Sequence, residues 1–469
     1  MINLTLILIS IFLVCFTFLG YKTNLKNDYS SKNFFLANKN LSPFLVGISS
    51  FATNNSGYMF IGFIGFTYVN GLSAAWLILG WILGDIIASI FYFKKINLLT
   101  AEKGHITYPE LLSSNTNEAS IKKIFALISL CFLIFYGSSQ LIAATKAMST
   151  FINVNFFFGC FIITLVVVSY SLRGGIKSSI NTDILQSFLM LFSLLLLIIF
   201  TVFQLGGIMV IINKMVLIDS FMDLSPKFID NDSIFFIFFF ALSWLFSGFS
   251  VLGQPHIITR FMALKSANKI NNARIWYYSV YIIFGSLALL IGLLCKVYFI
   301  TTPLIDPEVA LPKLALEILN PFFLSIIFIG ILSGSISTAD SILVNCISNV
   351  YRDIFEIKKL EKIKVLVIGL GISLTIFFIA CFGSKSVFYL ANMSWAALAS
   401  AFIPIIISIF KKIKLSFLQT FLITTTGLTT SILWGIFGLT KFAYQGLPGI
   451  LSGLIILFLI SFYNKQNEK

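Results

Sequence analysis

Charged side chains are scarce in this 469-residue sequence, because Asp, Glu, Lys and Arg together make up 11% of it. Soluble globular domains are about one quarter charged, so the composition excludes an ordinary soluble fold. Histidine and cysteine are also scarce, with two and six residues, and the cysteines lack CxxC or other metal-ligand spacing. These absences argue against a disulfide framework, a zinc site or a haem site. His105 and His256 have no HExxH-type partner and are expected toward loops, which argues against an intramembrane enzyme.

Hydrophobic residues, by contrast, make up 58% of the chain and form runs long enough to cross a bilayer. The runs predict an all-α polytopic membrane protein with about 13 transmembrane helices. The predicted spans are 3–20, 42–69, 71–93, 124–151, 154–172, 178–204, 233–257, 275–295, 314–350, 365–383, 386–410, 415–439 and 446–463. No loop between them is long enough for a soluble catalytic domain, so the chemistry is expected inside the bundle.

The net charge of +14 could indicate a nucleic-acid partner, but its distribution favours a membrane. Most of the 32 Lys and Arg residues fall in alternate loops, which are cytoplasmic if the N-terminus lies outside. This asymmetry predicts an external N-terminus and a cytoplasmic C-terminus, and the lipid bilayer becomes the expected partner instead of nucleic acid. The sequence does not address the oligomeric state.

A polar stretch interrupts the ninth span, where Gly330–Ser341 reads GILSGSISTADS. Polar and ionisable residues inside a membrane are costly, so these side chains should face protein or water. On a helix Ser337 lies one turn from Asp340 and Ser341, and Gly334 lies one turn before Thr338. Oxygen atoms from neighbouring turns can therefore converge on a hard cation. The alternative is that small polar residues only allow close helix packing.

Two spans contain helix-breaking residues near their middle or cytoplasmic end. ATNNSG lies in the second span and SGFSVLGQP in the seventh, where Pro255 interrupts the helix. An unwound segment exposes backbone groups to an ion or solute, as in discontinuous transporter helices. The spacing predicts two inverted five-helix repeats, spans 2–6 and 7–11. The expected divisions are 1–41 (first helix and cytoplasmic loop), 42–204 (repeat 1), 205–232 (extracytoplasmic loop), 233–411 (repeat 2) and 412–469 (two accessory helices and tail).

Several other polar residues have open roles. In the fourth span Tyr136, Ser138 and Gln140 either line a cavity or bond a neighbouring helix. Lys146 lies near the outer end, where it can snorkel. Gly174 and Gly175 predict a tight turn after the fifth span. Asp183 at the start of the sixth span is either an exposed first-turn acid favoured by the helix dipole or a buried charge that needs a cation. Asp85 in the third span poses the same question, and the sequence identifies no partner for it.

Several blocks together are similar to the sodium:solute symporter family, and in particular to bacterial sodium/proline symporters. GQPHIITRFMA at 253–263 is the most specific block. FFLANKNLSPF, SGYMFIG, GGIKSSINTDILQ, the Ser337-Thr338 segment and MSWAALASAFIP follow the family's order over most of residues 30–440. The resemblance implies a LeuT-like core with broken helices, sodium as the coupling ion, a small polar solute, and a bacterial-type inner membrane.

The same resemblance implies site residues. The family's sodium site falls on Ala52, Asn55, Gly334, Ser337 and Thr338. A second cation or proton site falls on Asp183, Asp340 and Ser341, where Asp340 departs from the hydroxyl that is usual in members with a second sodium. The implied solute-binding residues are Ser56, Gly57, Tyr58, Tyr136 and Gln140.

Other departures concern the solute. Asn54 replaces an acidic residue of the proline-type members, Tyr58 replaces a common Trp, and Ser247 and Val251 replace two aromatic residues. L-proline is the leading solute, with another amino acid, a betaine, a carboxylate or a sugar as alternatives. The prediction is therefore a sodium-coupled symporter and not an enzyme, with a transporter-like sensor or channel as the alternative of a different class.

Overall fold

The computed structural model describes residues 29–116, 119–226 and 234–467, together with isolated positions between residues 7 and 18. The predicted first span, 3–20, lies largely outside these residues, as does the end of the predicted loop 205–232. Within the described ranges the chain is helical and has no strand, although Leu41 and Leu264 form one isolated β-bridge.

The helices have the following bounds. The α-helices are α1 (Ser31–Leu36), α2 (Pro43–Asn54), α3 (Ile64–Asn70), α4 (Ala75–Ala88), α5 (Lys94–Lys103), α6 (Tyr108–Leu112), α7 (Ala119–Ile152), α8 (Phe156–Gln204), α9 (Ile208–Val216), α10 (Ile234–Phe249), α11 (Pro255–Met262), α12 (Ile270–Tyr298), α13 (Ala310–Ile318), α14 (Pro321–Ser348), α15 (Lys362–Phe382), α16 (Val387–Phe410), α17 (Phe417–Ile436) and α18 (Gly446–Asn467). Wider π-helical turns occupy Tyr58–Phe63, Ser89–Phe93 and Asn349–Ile354.

Eight helices in the described ranges are long and apolar enough to cross a membrane, or nine if one bent pair is a single span. This number counts the run Tyr58–Lys103 once, although 46 residues of continuous helix would measure about 69 Å, more than twice the thickness of the hydrocarbon core. Gly71 interrupts that run with a φ of 66°. The molecule is therefore a multi-pass helical bundle, and the number of 13 spans stays a prediction.

Both helices that were predicted to be interrupted are broken. α2 ends at Asn54, and helical structure resumes at Tyr58. Asn55 has φ −89° and ψ 72°, outside the helical region. α10 passes through the 3₁₀ turn Ser250–Gly253, and α11 then begins at Pro255 after a bend of 58°. Proline suits the first position of α11 because the N–H it lacks has no helical partner there.

The predicted glycine turn after the fifth span is also present. α8 changes direction at Gly175, which has φ 55° and ψ −147°. A side chain at this position would collide with the Phe34 carbonyl, because an added Cβ would lie 2.4 Å from its oxygen. The two parts of α8 correspond to the predicted spans 154–172 and 178–204. The boundaries of the two repeats stay a prediction.

α14 lies at the centre of the bundle, in contact with α2, α7, α8 and α15. Together with α16 it is among the most buried of the candidate spans. The polar residues in the middle of this helix are almost completely shielded, since none of the following is more than 2% exposed: Ser333, Ser335, Ser337, Thr338, Asp340 and Ser341. The prediction that these residues face protein is therefore confirmed, and they form the middle of the candidate site.

Candidate ion and solute site

The break in the second span brings its backbone against α14. The carbonyl groups of the last helical turn of α2 lose their regular N–H partners because the helix ends at Asn54. One of them, the Thr53 carbonyl oxygen, accepts a hydrogen bond from Thr338 Oγ1 at 2.9 Å. The same hydroxyl lies 3.2 Å from the Gly334 carbonyl oxygen. A hydroxyl and two carbonyl oxygens from two different helices thus meet at one point.

Two of the residues expected to bind sodium, Gly334 and Thr338, form this junction. Ala52 lies one position before Thr53 and Asn55 two positions after it, and both are at most 1% exposed. Thr338 reaches the α2 terminus directly, whereas the neighbouring Ser337 hydroxyl points to Asp183 and donates to its Oδ1 atom at 2.6 Å. The two hydroxyls expected to act as a pair therefore have different partners in this structure.

Asp183 is not an exposed first-turn acid but part of a fully buried ion pair. Its Oδ2 atom lies 3.1 Å from Nη2 of Arg260, and neither side chain is exposed. Ser49 Oγ donates to the same carboxylate oxygen at 2.5 Å and accepts from Arg260 Nε at 2.6 Å. The carboxylate thus has a cation and two hydroxyl donors, which is the arrangement that a buried charge requires.

Arg260 also contacts Ser341, another member of the predicted second ion site, and the neighbouring Ser179. Its Nη2 atom donates to Ser341 Oγ at 2.6 Å and to Ser179 Oγ at 3.1 Å. Ser179 and Ser341 in turn donate to Asp340 Oδ1 at 2.8 and 3.0 Å. Asp183 and Ser341 therefore share the Arg260 guanidinium, and Asp340 joins them through the Ser179 and Ser341 hydroxyls. The sequence reasoning had left Arg260 without a role.

The position of Arg260 has a local structural cause. It lies one turn after His256 on α11, the short helix that starts at Pro255, and its Nη1 atom donates to the His256 carbonyl oxygen at 2.5 Å. The bend before Pro255 aims this helix into the bundle, where Arg260 is completely buried. The GQPHIITRF block contained this signal, since an arginine inside an apolar segment needs an acidic partner.

The predicted solute-binding residues converge beside the same break. Ser56 Oγ lies 3.3 Å from the Tyr136 hydroxyl, and Gly57 N donates to Gln140 Oε1 at 3.0 Å. A side chain at Gly57 would collide with α14, because an added Cβ would lie 2.2 Å from Ser335 Oγ. The backbone of the broken segment can approach α7 and α14 only because this position is glycine.

Aromatic rings that the sequence reasoning did not assign surround these residues. The Tyr58 ring packs edge to face against Trp81 at 5.3 Å, and Trp81 packs against Trp395 at 5.5 Å. Trp395 also lies 6.1 Å from the Tyr136 ring, and its Nε1 atom donates to the Ser247 carbonyl oxygen at 2.9 Å. Trp395 belongs to the MSWAALAS block, so the family resemblance carried a signal for it.

His256 lies in this aromatic group and not toward a loop, which corrects the sequence-based expectation. It is fully buried, with ring centres 5.4 Å from Tyr136 and 6.2 Å from Trp395. Among the residues that the structure describes, neither of its ring nitrogens has a hydrogen-bond partner, and Ser335 Oγ and Trp81 Nε1 also lack one. Buried polar atoms normally have partners, so this group of atoms is suited to a polar ligand.

A second network of charges surrounds Lys146, near the end of α7. Lys146 does not simply snorkel, because its Nζ atom pairs with Asp306 at 2.7 Å and with Glu308 at 2.8 Å. Glu308 also accepts from Ser386 Oγ and from the N–H groups of the first turn of α16. Phe388 in that turn stacks on Tyr58 at 5.5 Å. These contacts hold the start of α16 against Tyr58, next to the break in the second span.

Comparison with known proteins shows that this chain is similar to transporters. The model of the sodium:solute symporter family matches residues 34–414. The high-affinity proline transporter PutP of Bacillus subtilis (strain 168) is 27% identical over 450 residues, covering 93% of each chain. The osmoregulated proline transporter OpuE of the same organism is 28% identical over 487 residues, covering 99% of this chain and 96% of the relative.

Solved structures share the fold. A Na⁺-coupled sialic acid symporter in a substrate-bound, outward-open state superposes with a TM-score of 0.78 at 17% identity, covering 98% of this chain and 97% of its own. MHP1, a nucleobase-cation-symport-1 family transporter in a closed conformation, has a TM-score of 0.60 at 12% identity, covering 92% and 94%. The predicted LeuT-like, all-α fold with broken helices is thereby confirmed.

Proposed function

This chain belongs to the sodium:solute symporter family, and on that premise we propose that it is a secondary active symporter that imports a small polar solute with sodium. L-proline is the first candidate solute, since relatives that cover almost the whole chain are named as proline transporters. Another amino acid, a betaine, a carboxylate or a sugar is the alternative.

The observation that carries the proposal is the hydrogen bond between Thr338 and the Thr53 carbonyl, which joins the broken helix to α14. Carbonyl and hydroxyl oxygens are the ligands that a hard cation takes. We assign the sodium ligands to the backbone oxygens of Ala52, Asn55 and Gly334 and to the hydroxyls of Ser337 and Thr338. A sodium ion held by these oxygens would link the two helices, as the direct hydrogen bond does in this structure.

Coupling follows if sodium and solute favour the same arrangement of the broken helix. Ser56 and Gly57, which we assign to the solute, come directly after Asn55, which we assign to sodium. An ion that holds Asn55 in place therefore also holds the adjacent solute-binding residues in place. Sodium can promote solute binding only if it binds the solute-competent state more tightly than the other state.

We propose a single sodium ion as the basic stoichiometry. A second sodium or a proton at Asp183, Asp340 and Ser341 would have to share these oxygens with Arg260, whose guanidinium already contacts Asp183 and Ser341. The like charge of Arg260 opposes a second cation there. Occupation of that site therefore requires Arg260 to move away.

The aromatic group around the break is suited to the ring of proline. Tyr58 and Tyr136, together with Trp81 and Trp395, offer apolar faces, while Ser56 and Gln140 offer polar groups at the same place. Pockets that combine apolar walls with a few convergent polar groups are typical of small-molecule sites. We place the protein in a bacterial-type inner membrane, with the N-terminus outside and the C-terminus in the cytoplasm.

The test is radiolabelled proline uptake into proteoliposomes, with inward sodium and proton gradients imposed separately. We expect proline to accumulate above its external concentration under the sodium gradient and to leak out when a sodium ionophore is added. Unlabelled amino acids, betaine, carboxylates and sugars compete in turn to rank the solutes. Uptake that stops at equal concentrations under every gradient would contradict symport and favour a channel or sensor.

A further inference from the structure

Asp85 is a completely buried carboxylate that the proposed transport mechanism does not use. It lies near the end of α4, inside the bundle, with no exposed surface. The ion pairs found in the described part of the chain do not include Asp85. A buried carboxylate without a cation is costly unless other groups stabilise it or a proton neutralises it.

Hydroxyl groups from α12 surround this carboxylate. The Tyr277 hydroxyl donates to Asp85 Oδ2 at 2.5 Å, and the Tyr278 hydroxyl lies 2.9 Å from Oδ1 and 3.0 Å from the Asp85 carbonyl oxygen. From α2, Asn54 Nδ2 lies 3.3 Å from Oδ2 and also contacts the Tyr277 hydroxyl. Both carboxylate oxygens therefore already have close donors.

The other groups facing Asp85 add no cation. Among the described residues, the titratable groups that interact with it are Tyr277, Tyr278 and Tyr281, all on α12. α10, which packs along α4, faces it with Gly248, where an added Cβ would lie 2.9 Å from the Asp85 backbone nitrogen. The surroundings of the carboxylate are thus three phenols, one amide and glycine backbone.

One of the phenols connects Asp85 to the surface. Tyr278 lines an open cleft of about 430 Å³, whose other walls are three isoleucine side chains and the polar side chains of Ser89, Asn271, Arg274 and Ser279. Ser89 follows α4, and Asn271 and Arg274 lie in the first turns of α12. In the orientation proposed above, the cleft opens toward the cytoplasmic side. Tyr278 therefore contacts both the cleft and the buried carboxylate.

We propose that Asp85 is a proton-binding site that exchanges protons with this cleft through the Tyr278 hydroxyl. A hydronium ion in the cleft gives a proton to the Tyr278 oxygen, while the Tyr278 hydroxyl proton passes to Asp85 Oδ1. The cleft is left with water, tyrosine keeps one proton, and the carboxylate becomes a neutral carboxylic acid. The reverse transfer restores the charge, so no oxidant, reductant or other reactant is required.

The geometry favours a proton over a sodium ion at this position. A metal ion would have to displace donors that lie 2.5 to 3.3 Å from the carboxylate oxygens, whereas a proton needs no additional space. A chain of hydroxyl groups transmits protons but does not admit a metal ion. We therefore treat sodium binding at Asp85 as a result that would overturn the proposal.

The amide of Asn54 links this site to the broken helix. Asn54 is the last residue of α2, and its side chain contacts Asp85 and Tyr277, while the preceding Thr53 carbonyl bonds Thr338. Protonation would remove the charge that attracts the Asn54 N–H group and so change the anchoring of this helix end. Asp85 thus supplies a carboxylate from the third span beside the end of the broken helix.

The first test detects the proton without transport. Infrared difference spectra of the reconstituted protein are recorded across pH, and we expect a protonated-carboxyl band that titrates over about two pH units. Asp85→Asn should remove this component. The control is Asp353→Asn, which should keep it, because Asp353 is a completely buried carboxylate in the π-helical turn Asn349–Ile354, bonded to Thr107. A band that titrates unchanged in Asp85→Asn, or a wild-type protein in which sodium and not pH perturbs this carboxylate, would overturn the proposal.

A second variant addresses the route and does not depend on how well Asp85→Asn folds. Tyr278→Phe keeps the carboxylate but removes the link to the cleft, so the band should appear at least about tenfold more slowly after a pH jump, a rise in barrier of about 1.4 kcal/mol. Ser279→Ala, which changes a cleft residue that does not contact Asp85, is the control. An unchanged rate in Tyr278→Phe would overturn the route.

The last arm rests on the proposed function. At a fixed sodium gradient, wild-type proline uptake should vary with pH, and Asp85→Asn should flatten that profile while uptake remains sodium-driven. Sodium-driven uptake with the same pH profile in both proteins would overturn the role of the site in transport. If uptake is absent in the wild type, the proposed function fails, while the infrared result still decides the proton site.

Discussion

Asp183 and Asp85 are both completely buried carboxylates in membrane-spanning helices, but their surroundings differ in charge. Asp183 has the Arg260 guanidinium at 3.1 Å, together with the Ser49 and Ser337 hydroxyls. Asp85 has two tyrosine hydroxyls and the Asn54 amide, with no ion pair in the part of the chain that the structure describes. The charge of Asp183 is balanced by the fixed guanidinium group of Arg260. The charge of Asp85 is balanced only when a proton binds.

We infer from this difference that Asp183 has a structural role and that Asp85 exchanges a proton. The Arg260 guanidinium supplies a positive charge beside Asp183, so the pair is neutral as a whole without an added proton. Loss of either partner leaves an uncompensated charge inside the bundle. A carboxylate held by neutral donors can gain and lose a proton without leaving another charge unpaired, which suits a site whose charge changes during transport.

The largest expected effect comes from breaking the paired site. Arg260→Gln should lower the free energy of unfolding by about 3–5 kcal/mol, because it leaves Asp183 buried without its cation. Thermal or denaturant unfolding of the detergent-purified protein measures this loss. The double variant Arg260→Gln with Asp183→Asn should recover most of it, since no charge is then left unpaired. A single variant as stable as wild type would show that the pair does not hold the charge as described.

An intermediate effect on stability is expected at the ion pairs of Lys146 with Asp306 and Glu308. Lys146→Gln should lower the free energy of unfolding by about 1.5–3 kcal/mol, the usual value of a hydrogen bond to a charged group. The loss should not be larger, because Glu308 still accepts hydrogen bonds from Ser386 and from the N–H groups of α16. The same unfolding measurement applies. Asp306→Asn is the control, because this carboxylate is 45% exposed and should contribute about 0–1 kcal/mol. If Lys146→Gln and Asp306→Asn lowered the free energy of unfolding equally, Glu308 would not be the main partner of Lys146.

The smallest expected effect on stability is at the unpaired site. Asp85→Asn should cost only about 1 kcal/mol, because an amide keeps one acceptor for the tyrosines and no cation loses its partner. Unfolding curves collected beside those of Arg260→Gln make the comparison direct. A loss as large as that of Arg260→Gln would mean that Asp85 is a structural charge, and the contrast between the two carboxylates would disappear.

The sequence predicted those structural features that depend on residues close together in the chain. Composition identified a multi-pass helical bundle, the ATNNSG and GQP segments predicted the two breaks, and Gly174 and Gly175 predicted the turn within α8. The polar residues of α14 were correctly expected to face protein, because lipid does not tolerate a carboxylate and several hydroxyls together.

Partners contributed by distant helices could not be predicted in the same way. Asp183 and Arg260 are separated by 77 positions, and Asp85 and Tyr277 by 192, so no periodicity connects them. Lys146 was interpreted as a snorkelling lysine because its partners, Asp306 and Glu308, lie in a loop about 160 residues later. His256 was expected near a loop because the bend that turns α11 into the bundle is a tertiary feature.

The central claim is that oxygens of the broken second helix and of α14 hold the coupling sodium ion, and the sodium dependence of proline uptake tests it most directly. The variant carries Ser337→Ala and Thr338→Ala. The matched control carries Ser325→Ala and Ser348→Ala, two hydroxyls of the same helix that donate to carbonyl oxygens of that helix. We predict that the variant needs at least about tenfold more sodium for half-maximal uptake, equivalent to about 1.4 kcal/mol, while the control behaves as wild type. Identical sodium dependence in the variant and the control would contradict the account.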